Sequence, residues 1–243
     1  MNIQILAAIH LTRLRPSRLH PAARIPSLRA PLFVLLCAFS LPGLACQANL
    51  PRFSGPAPSG SVLFQDDFSD PESGWKGALD SEDGFAGYFD GTYRLLVSSP
   101  DRMVWSGPDL DLSDVRIEVD ALKRSGPEDD DFGLVCRAKD EANFYFFVIS
   151  SDGYYGVGKT VGGVQSLIGA QGMPPSETIR QGIAVNHLRG DCVNNELAFY
   201  VNGALLVRVQ DGSFSEGGVG LIAGTFDQPG NEVVFDNFSV LNP

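Results

Sequence analysis

The sequence predicts an all-β domain, a two-sheet antiparallel sandwich, and three observations carry that expectation. Apolar residues alternate with period two in run after run, most strictly in Val115-Arg116-Ile117-Glu118-Val119-Asp120-Ala121-Leu122, the pattern of a strand with one face in a core and the other in water. Turn formers punctuate these runs: the 243 residues include 27 glycines and 16 prolines, and Asn202-Gly203 sits between ELAFYV and ALLVRVQ, a strong hairpin signal because both turn positions favour positive φ. No stretch holds a helical period over about three turns. A dozen or so short, evenly spaced strands in about 180 residues point to a sandwich rather than a mixed fold.

Taken in order, Val62-Leu63-Phe64 opens the domain and runs through Gln65-Asp66-Asp67-Phe68 into the turn Ser69 to Trp75. Polar turn formers fill Asp80 to Gly87, and Tyr88 to Val97 holds a turn at Asp90-Gly91 with a strand after it. Met103-Val104-Trp105 is a short strand, and in Val115 to Leu122 the residues Val115, Ile117, Val119 and Ala121 point inward while Arg116, Glu118, Asp120 and Leu122 point to solvent. Asp131 to Tyr155 gives two strands and the start of a third around the turn Lys139 to Ala142. The second of these, NFYFFVI, is apolar or aromatic on both faces, with Phe144, Phe146 and Val148 on one and Tyr145, Phe147 and Ile149 on the other. Such a strand belongs in the middle of a sheet. Weaker strands follow at Tyr154 to Thr160 and Val164 to Ile168, then a loop at Met173 to Thr178 and one strand, or two broken at Gly190, over Ile183 to Val193. The hairpin Glu196 to Gln210 and the strands Gly217 to Phe226 and Glu232 to Val240 complete the domain.

The first 45 residues read as a leader. Arg13, Arg15, Arg18, Arg24 and Arg29 precede the apolar run Ala30 to Phe39, which has the length of a signal-peptide core and falls short of the roughly 20 residues that span a bilayer. Leu44-Ala45-Cys46 is similar to a bacterial lipobox, in which Cys46 is lipidated; Gly43 stands where a leucine is usual, so ordinary cleavage near Ala45 or Ala48 also fits. Residues 46–60, rich in Pro, Gly, Ser and Ala, read as a flexible tether, and 61–243 as the folded domain. The formal charge of −11 understates the acidity of that domain, because five of the 18 bases and none of the 29 acids lie in the leader. Nucleic acid is therefore discounted as a partner, and a membrane enters only through the lipid anchor.

Few motifs suit catalysis. His187 is the one histidine of the domain, no Gly-x-Ser-x-Gly elbow is present, and Gly217-Gly218-Val219-Gly220 lacks the Lys-Ser/Thr of a phosphate loop. Cys136 and Cys192 fall on strands of an exported domain, where a disulfide would stabilise by roughly 4 kcal/mol; two unpaired buried thiols are the alternative. Glu128-Asp129-Asp130-Asp131 reads as a solvated loop, with metal binding as its rival. Sugars stack on aromatic rings while polar side chains grip their hydroxyls, which nominates Tyr145 and Phe147 as facing away from the inner core, with Arg137 beside them and Tyr155, Trp105 and Arg189 joining if the sheet order permits. The equal alternative is that these rings are simply covered.

The pieces DDFSDPESGW at Asp66 to Trp75, NFYFFVISSDGYYGVGK at Asn143 to Lys159, NHLRGDCVNNELAFYVNG at Asn186 to Gly203, GGVGLIAGTF at Gly217 to Phe226 and VVFDNFSV at Val233 to Val240 resemble the concanavalin A-like, or laminin-G-like, superfamily, and within it bacterial extracellular domains of the 3-keto-disaccharide hydrolase type. The resemblance implies a jelly roll, but the superfamily holds lectins, glycosidases and scaffolds alike. Its laminarinase-type members carry Glu-x-Asp-x-x-Glu. Here Glu118-Val119-Asp120-Ala121-Leu122-Lys123 puts a lysine where the second glutamate belongs, and a retaining pair needs two carboxyls about 5 Å apart. Such modules also pair their first and last strands, which would bring Asp66 or Asp67 near Asp236 and allow a structural calcium. The function expected is a non-catalytic extracellular module that binds carbohydrate or another envelope component; a glycosidase with unaligned carboxylates and a purely structural module are the rivals.

Overall fold

The computed structural model describes residues 3–7, 60–75 and 79–243, and among them every regular element is a strand. The leader, the tether and Cys46 lie outside the described residues, apart from the backbone of Ile3–Ala7. In chain order the strands are β1 (Ile3–Ala7), β2 (Val62–Asp66), β3 (Leu79–Ser81), β4 (Gly84–Phe89), β5 (Thr92–Val97), β6 (Arg102–Ser106), β7 (Val115–Ser125) and β8 (Asp131–Asp140). They continue with β9 (Asn143–Ser150), β10 (Tyr155–Val161), β11 (Val164–Leu167), β12 (Val185–Val193), β13 (Glu196–Val201), β14 (Ala204–Gln210), β15 (Gly218–Gly224) and β16 (Asn231–Leu241).

Two antiparallel sheets form the sandwich. One has seven strands in the order β1-β6-β15-β8-β9-β10-β11; the other has nine, β14-β13-β12-β7-β16-β5-β4-β3, with β2 added on β16. The alternation in β7 works as its sequence demands: Val115, Ile117, Val119 and Ala121 enter the inner core with Leu188, Phe199, Val233 and Phe235 from its neighbours. Facing them from the other sheet are Leu134, Tyr145, Phe147, Ile149 and Leu221. Burial of this apolar area is the main driving force of the fold.

Asn202 and Gly203 have φ of 51° and 84° between β13 and β14, the geometry that their sequence selects. The stretch Asp80 to Gly87 differs from expectation. It holds β3 and most of β4, where turn formers suggested a loop. A side chain at Gly84 would place Cβ 2.2 Å from the Leu96 carbonyl oxygen, so this glycine marks close strand pairing rather than a turn.

Cys136 on β8 and Cys192 on β12 form the expected disulfide. It crosses the inner core from one sheet to the other with both sulfurs buried, and a buried bond of this kind belongs to an oxidising compartment.

Candidate functional site

The outer face of the nine-stranded sheet gathers the polar side chains that the alternation turns away from the core. The register places Tyr200 (β13) beside Arg189 (β12), Arg189 beside Glu118 (β7), and Glu118 beside Ser239 (β16). The next rung reads His187, Asp120, Asp236, and the one on the other side Ala198, Asp191, Arg116. Neighbouring strands lie about 4.8 Å apart, so these groups form a continuous tiled surface.

The surface is bound together ionically. His187 Nδ1 is 2.8 Å from Asp120 Oδ1, and its Nε2 is 3.7 Å from Glu118 Oε2. Asn237 donates from Nδ2 to Asp120 Oδ2 at 3.0 Å, which its left-handed backbone, φ 54°, at the bulge of β16 makes possible. Arg189 donates twice to Asp191, at 2.8 and 2.6 Å, and lies 4.3 Å from the Tyr200 ring centroid. Arg116 also reaches Asp191, at 3.4 Å. Glu118 and Asp120 are 7% and 1% exposed, which corrects the expectation of solvated charge here: facing basic groups from β12 roof over the carboxylates of β7. Lys123, on the same strand, is buried too, and its ammonium bonds the Pro127 carbonyl.

The hydrogen bond to Asp120, then that to Glu118, raises the His187 pKa to about 9 against the opposing effect of burial. The imidazole is therefore charged at neutral pH and both its nitrogens donate. A raised folded-state value stabilises fully below the unfolded value near 6.5 and ceases to as pH rises through about 9. Urea unfolding of the wild type should lose roughly 2 kcal/mol between pH 6.5 and 9.5 relative to a His187→Gln variant. Parallel pH profiles of the two proteins would contradict the ion pairing.

The residues singled out as ligand contacts do not converge. Tyr145 and Phe147, expected to face outward, are fully buried in the inner core; Phe144, Phe146 and Val148 take the other face, in a second apolar cluster with Met103, Trp105 and Ile222. Tyr145 donates to Asp211 at 2.7 Å, and Tyr155 packs on the inner core while donating to the Leu206 carbonyl at 3.2 Å. Arg137 is 1% exposed and turned inward, where it serves the fold. Of the six, Arg189 alone reaches the outer face of the nine-stranded sheet, where Tyr200, His187 and Glu118 surround it. The missed signal was alternation itself: Ala198 and Tyr200 stand opposite in phase to the apolar Leu197, Phe199 and Val201.

β2 and β16 do run side by side, with Asp66 opposite Phe238. The carboxylates there do not suit a calcium ion. Asp66 Oδ1 accepts from Phe68 N at 2.7 Å, and Oδ2 accepts from Ser73 Oγ at 2.7 Å and Tyr88 OH at 2.9 Å. Asp67 accepts from Ser69, and Asp236 from Asn237 N. Among the described residues no three His, Cys, Asp or Glu side chains gather as a metal site, whereas calcium takes six to eight oxygens.

No protein family matches the chain, and no curated protein does. Solved structures do. A protein of unknown function with a galectin-like fold from Bacillus subtilis is similar with a TM-score of 0.55 at 13% identity, over 76% of this chain and 97% of that one. A GlcNAcα1-4Gal-releasing endo-β-galactosidase from Clostridium perfringens is similar with a TM-score of 0.53 at 10% identity, over 79% of this chain and 65% of that one. The carbohydrate-binding module CBM66 from Bacillus subtilis gives a TM-score of 0.49 at 22% identity, over 69% of this chain and 95% of that one. At these identities the first two likenesses show a shared fold and nothing more.

Proposed function

We propose that the chain is an exported, non-catalytic module that binds carbohydrate through the outer face of its nine-stranded sheet, held at the cell surface by Cys46 or released. The observation that carries this reading is the tiling of Tyr200, Arg189, Asp191 and His187 over adjacent rungs, where part-exposed cationic donors and a part-exposed carboxylate acceptor lie beside an aromatic ring. A sugar hydroxyl both donates and accepts, so such an interleaved surface can satisfy several at once, and a half-buried tyrosine adds an apolar patch for the ring C–H groups. The fold supports the reading, since an enzyme acting on glycans shares it. A charged His187 tied to two carboxylates is a poor general base, which favours binding over hydrolysis.

One observation favours a glycosidase, including one of the 3-keto-disaccharide type. Burial raises the Asp236 pKa, helped by the charge of Asp120, its register partner, and a raised carboxyl pKa is what a general-acid role requires.

One experiment addresses both readings: a glycan array probed with the purified protein, each retained glycan then being checked for cleavage. Binding of neutral glycans, weakened at least about tenfold (1.4 kcal/mol) by Tyr200→Ala and by Arg189→Ala, is the expected result. No retained glycan, or equal retention by both variants, would sink the proposal. Cleavage lost in Asp236→Asn would establish the enzyme instead.

A further inference from the structure

Toward its other edge, the nine-stranded sheet carries a second cluster on the same outer face, built from β4, β5, β7 and β16. Gly87 of β4 stands opposite Arg94 of β5, with Phe85 opposite Leu96 and Phe89 opposite Thr92. Because glycine has no side chain, the Arg94 guanidinium reaches over β4 to both rings, 5.4 Å from the Phe85 centroid and 4.8 Å from that of Phe89. Arg124 of β7 reaches the same Phe89 ring at 5.8 Å. Both arginines also turn Nε toward Oε1 of Glu232 on β16, at 2.9 and 3.9 Å. The shorter of these contacts lacks the alignment of a hydrogen bond.

Two cations therefore share one ring and one counter-charge. Of the acids flanking the rings, Asp80 opposite Phe85 and Asp90 after Phe89 are exposed, and neither ion-pairs with Arg94 or Arg124. The result is a local surplus of positive charge on a chain of formal charge −11. A guanidinium that serves the fold, as that of Arg137 does, gives its donors to protein acceptors. Arg94 and Arg124 are held by ring stacking and ion pairing, yet among the described residues the Nη groups of neither make a hydrogen bond. Both remain part-exposed, and Phe89 is 38% exposed beside them.

We propose that this cluster is a second binding site, taking a saccharide residue that carries a carboxylate. The two guanidinium forks meet the carboxylate oxygens with charge-assisted hydrogen bonds, and the exposed part of Phe89 takes the C–H groups of the sugar ring. Inorganic phosphate offers the charge without the ring, and a neutral sugar the ring without the charge, so neither engages both halves of the cluster. The sheet order sets β5 four strands from β13, about 19 Å at 4.8 Å per strand, and the site stands apart from Tyr200.

The test is calorimetric titration of the full chain with trigalacturonic acid, its methyl ester and inorganic phosphate, in about 0.15 M salt, where the screening length is about 8 Å. The acid should saturate, and the methyl ester and phosphate should each bind at least about tenfold more weakly. Arg124→Gln and Phe89→Ala, each with the near-UV circular dichroism of the wild type, should weaken the acid at least about tenfold, whereas Tyr200→Ala should leave it unchanged. No saturation by the acid up to about 10 mM, equal affinity for the ester or for phosphate, indifference to either variant, or loss through Tyr200→Ala instead overturns the proposal. Failure of neutral glycans to bind the Tyr200 face would leave this outcome unaffected, so the two proposals fall separately.

Discussion

Replacing Arg137 by methionine should cost about 3–5 kcal/mol, the range seen when one partner of a buried charged network is removed. The residue sits where the pairing of β8 with β9 shifts register, its φ is 51°, and its side chain is buried. Its Nε donates to the Ser113 carbonyl at 2.8 Å, and Nη1 to the carbonyls of Asn194 and Phe214 at 2.6 and 3.1 Å. Nη2 pairs with Asp114 Oδ1 at 3.1 Å, an oxygen that also accepts from Asn194 N. One guanidinium thus fixes the approach to β7, the turn between β12 and β13, and the loop before β15. Methionine fills the volume but leaves three carbonyls unmatched, each a desolvated acceptor. Lysine keeps the charge and lacks the planar fork, so Arg137→Lys should recover less than half of the loss. Urea midpoints of the three proteins decide the matter; a loss under about 1 kcal/mol for the methionine variant would show that water replaces the guanidinium.

Arg137 also marks where sequence reasoning stopped. Alternation in Val115 to Ala121 identified which side of β7 enters the core because that strand is apolar on one side only. β9 carries rings on both sides, so its facing depends on pairing: Tyr145 lies opposite Cys136 and Phe147 opposite Leu134, and the disulfide draws that side inward. The end of β8 contains an irregularity that shifts the pairing, and nothing local in Arg137-Ala138-Lys139-Asp140 announces it. A similar limit governs Glu118 and Asp120. Their outward phase was legible, but their burial comes from His187 and Arg189, nearly 70 residues on, at register positions that only the β7–β12 pairing supplies. Local pattern therefore gave strands, turns and the disulfide, whereas the polar ladder needed the order of strands in the sheet.

Removing the disulfide in a Cys136→Ala/Cys192→Ala protein is expected to lower stability by about 4 kcal/mol, the chain-entropy cost of leaving a loop of this length unclosed, and the thermal midpoint by about 8–16 °C at 2–4 °C per kcal/mol for this chain length. The loop joins residues 56 apart and links the two sheets rather than two neighbours in one. Without it, the unfolded chain gains freedom while the folded chain keeps the packing of the inner core, Leu134 and Phe147 against Leu188 and Phe199 included, and the hydrogen bonds of Arg137 and Tyr145 to hold the layers together. Alanine is the informative replacement, since serine would add buried hydroxyls without assured partners. Both sulfurs are fully buried, so reductant should act on the wild type at the rate of global unfolding. A destabilisation under about 1 kcal/mol, or rapid reduction of the folded protein, would mean that the sheets are held by their packing alone. The same variant probes the polar ladder, because Cys192 pins β12 from within while Arg189 and Asp191 project from its other side. If the staple also sets the register of that strand, glycan binding should weaken at temperatures where the variant is still fully folded.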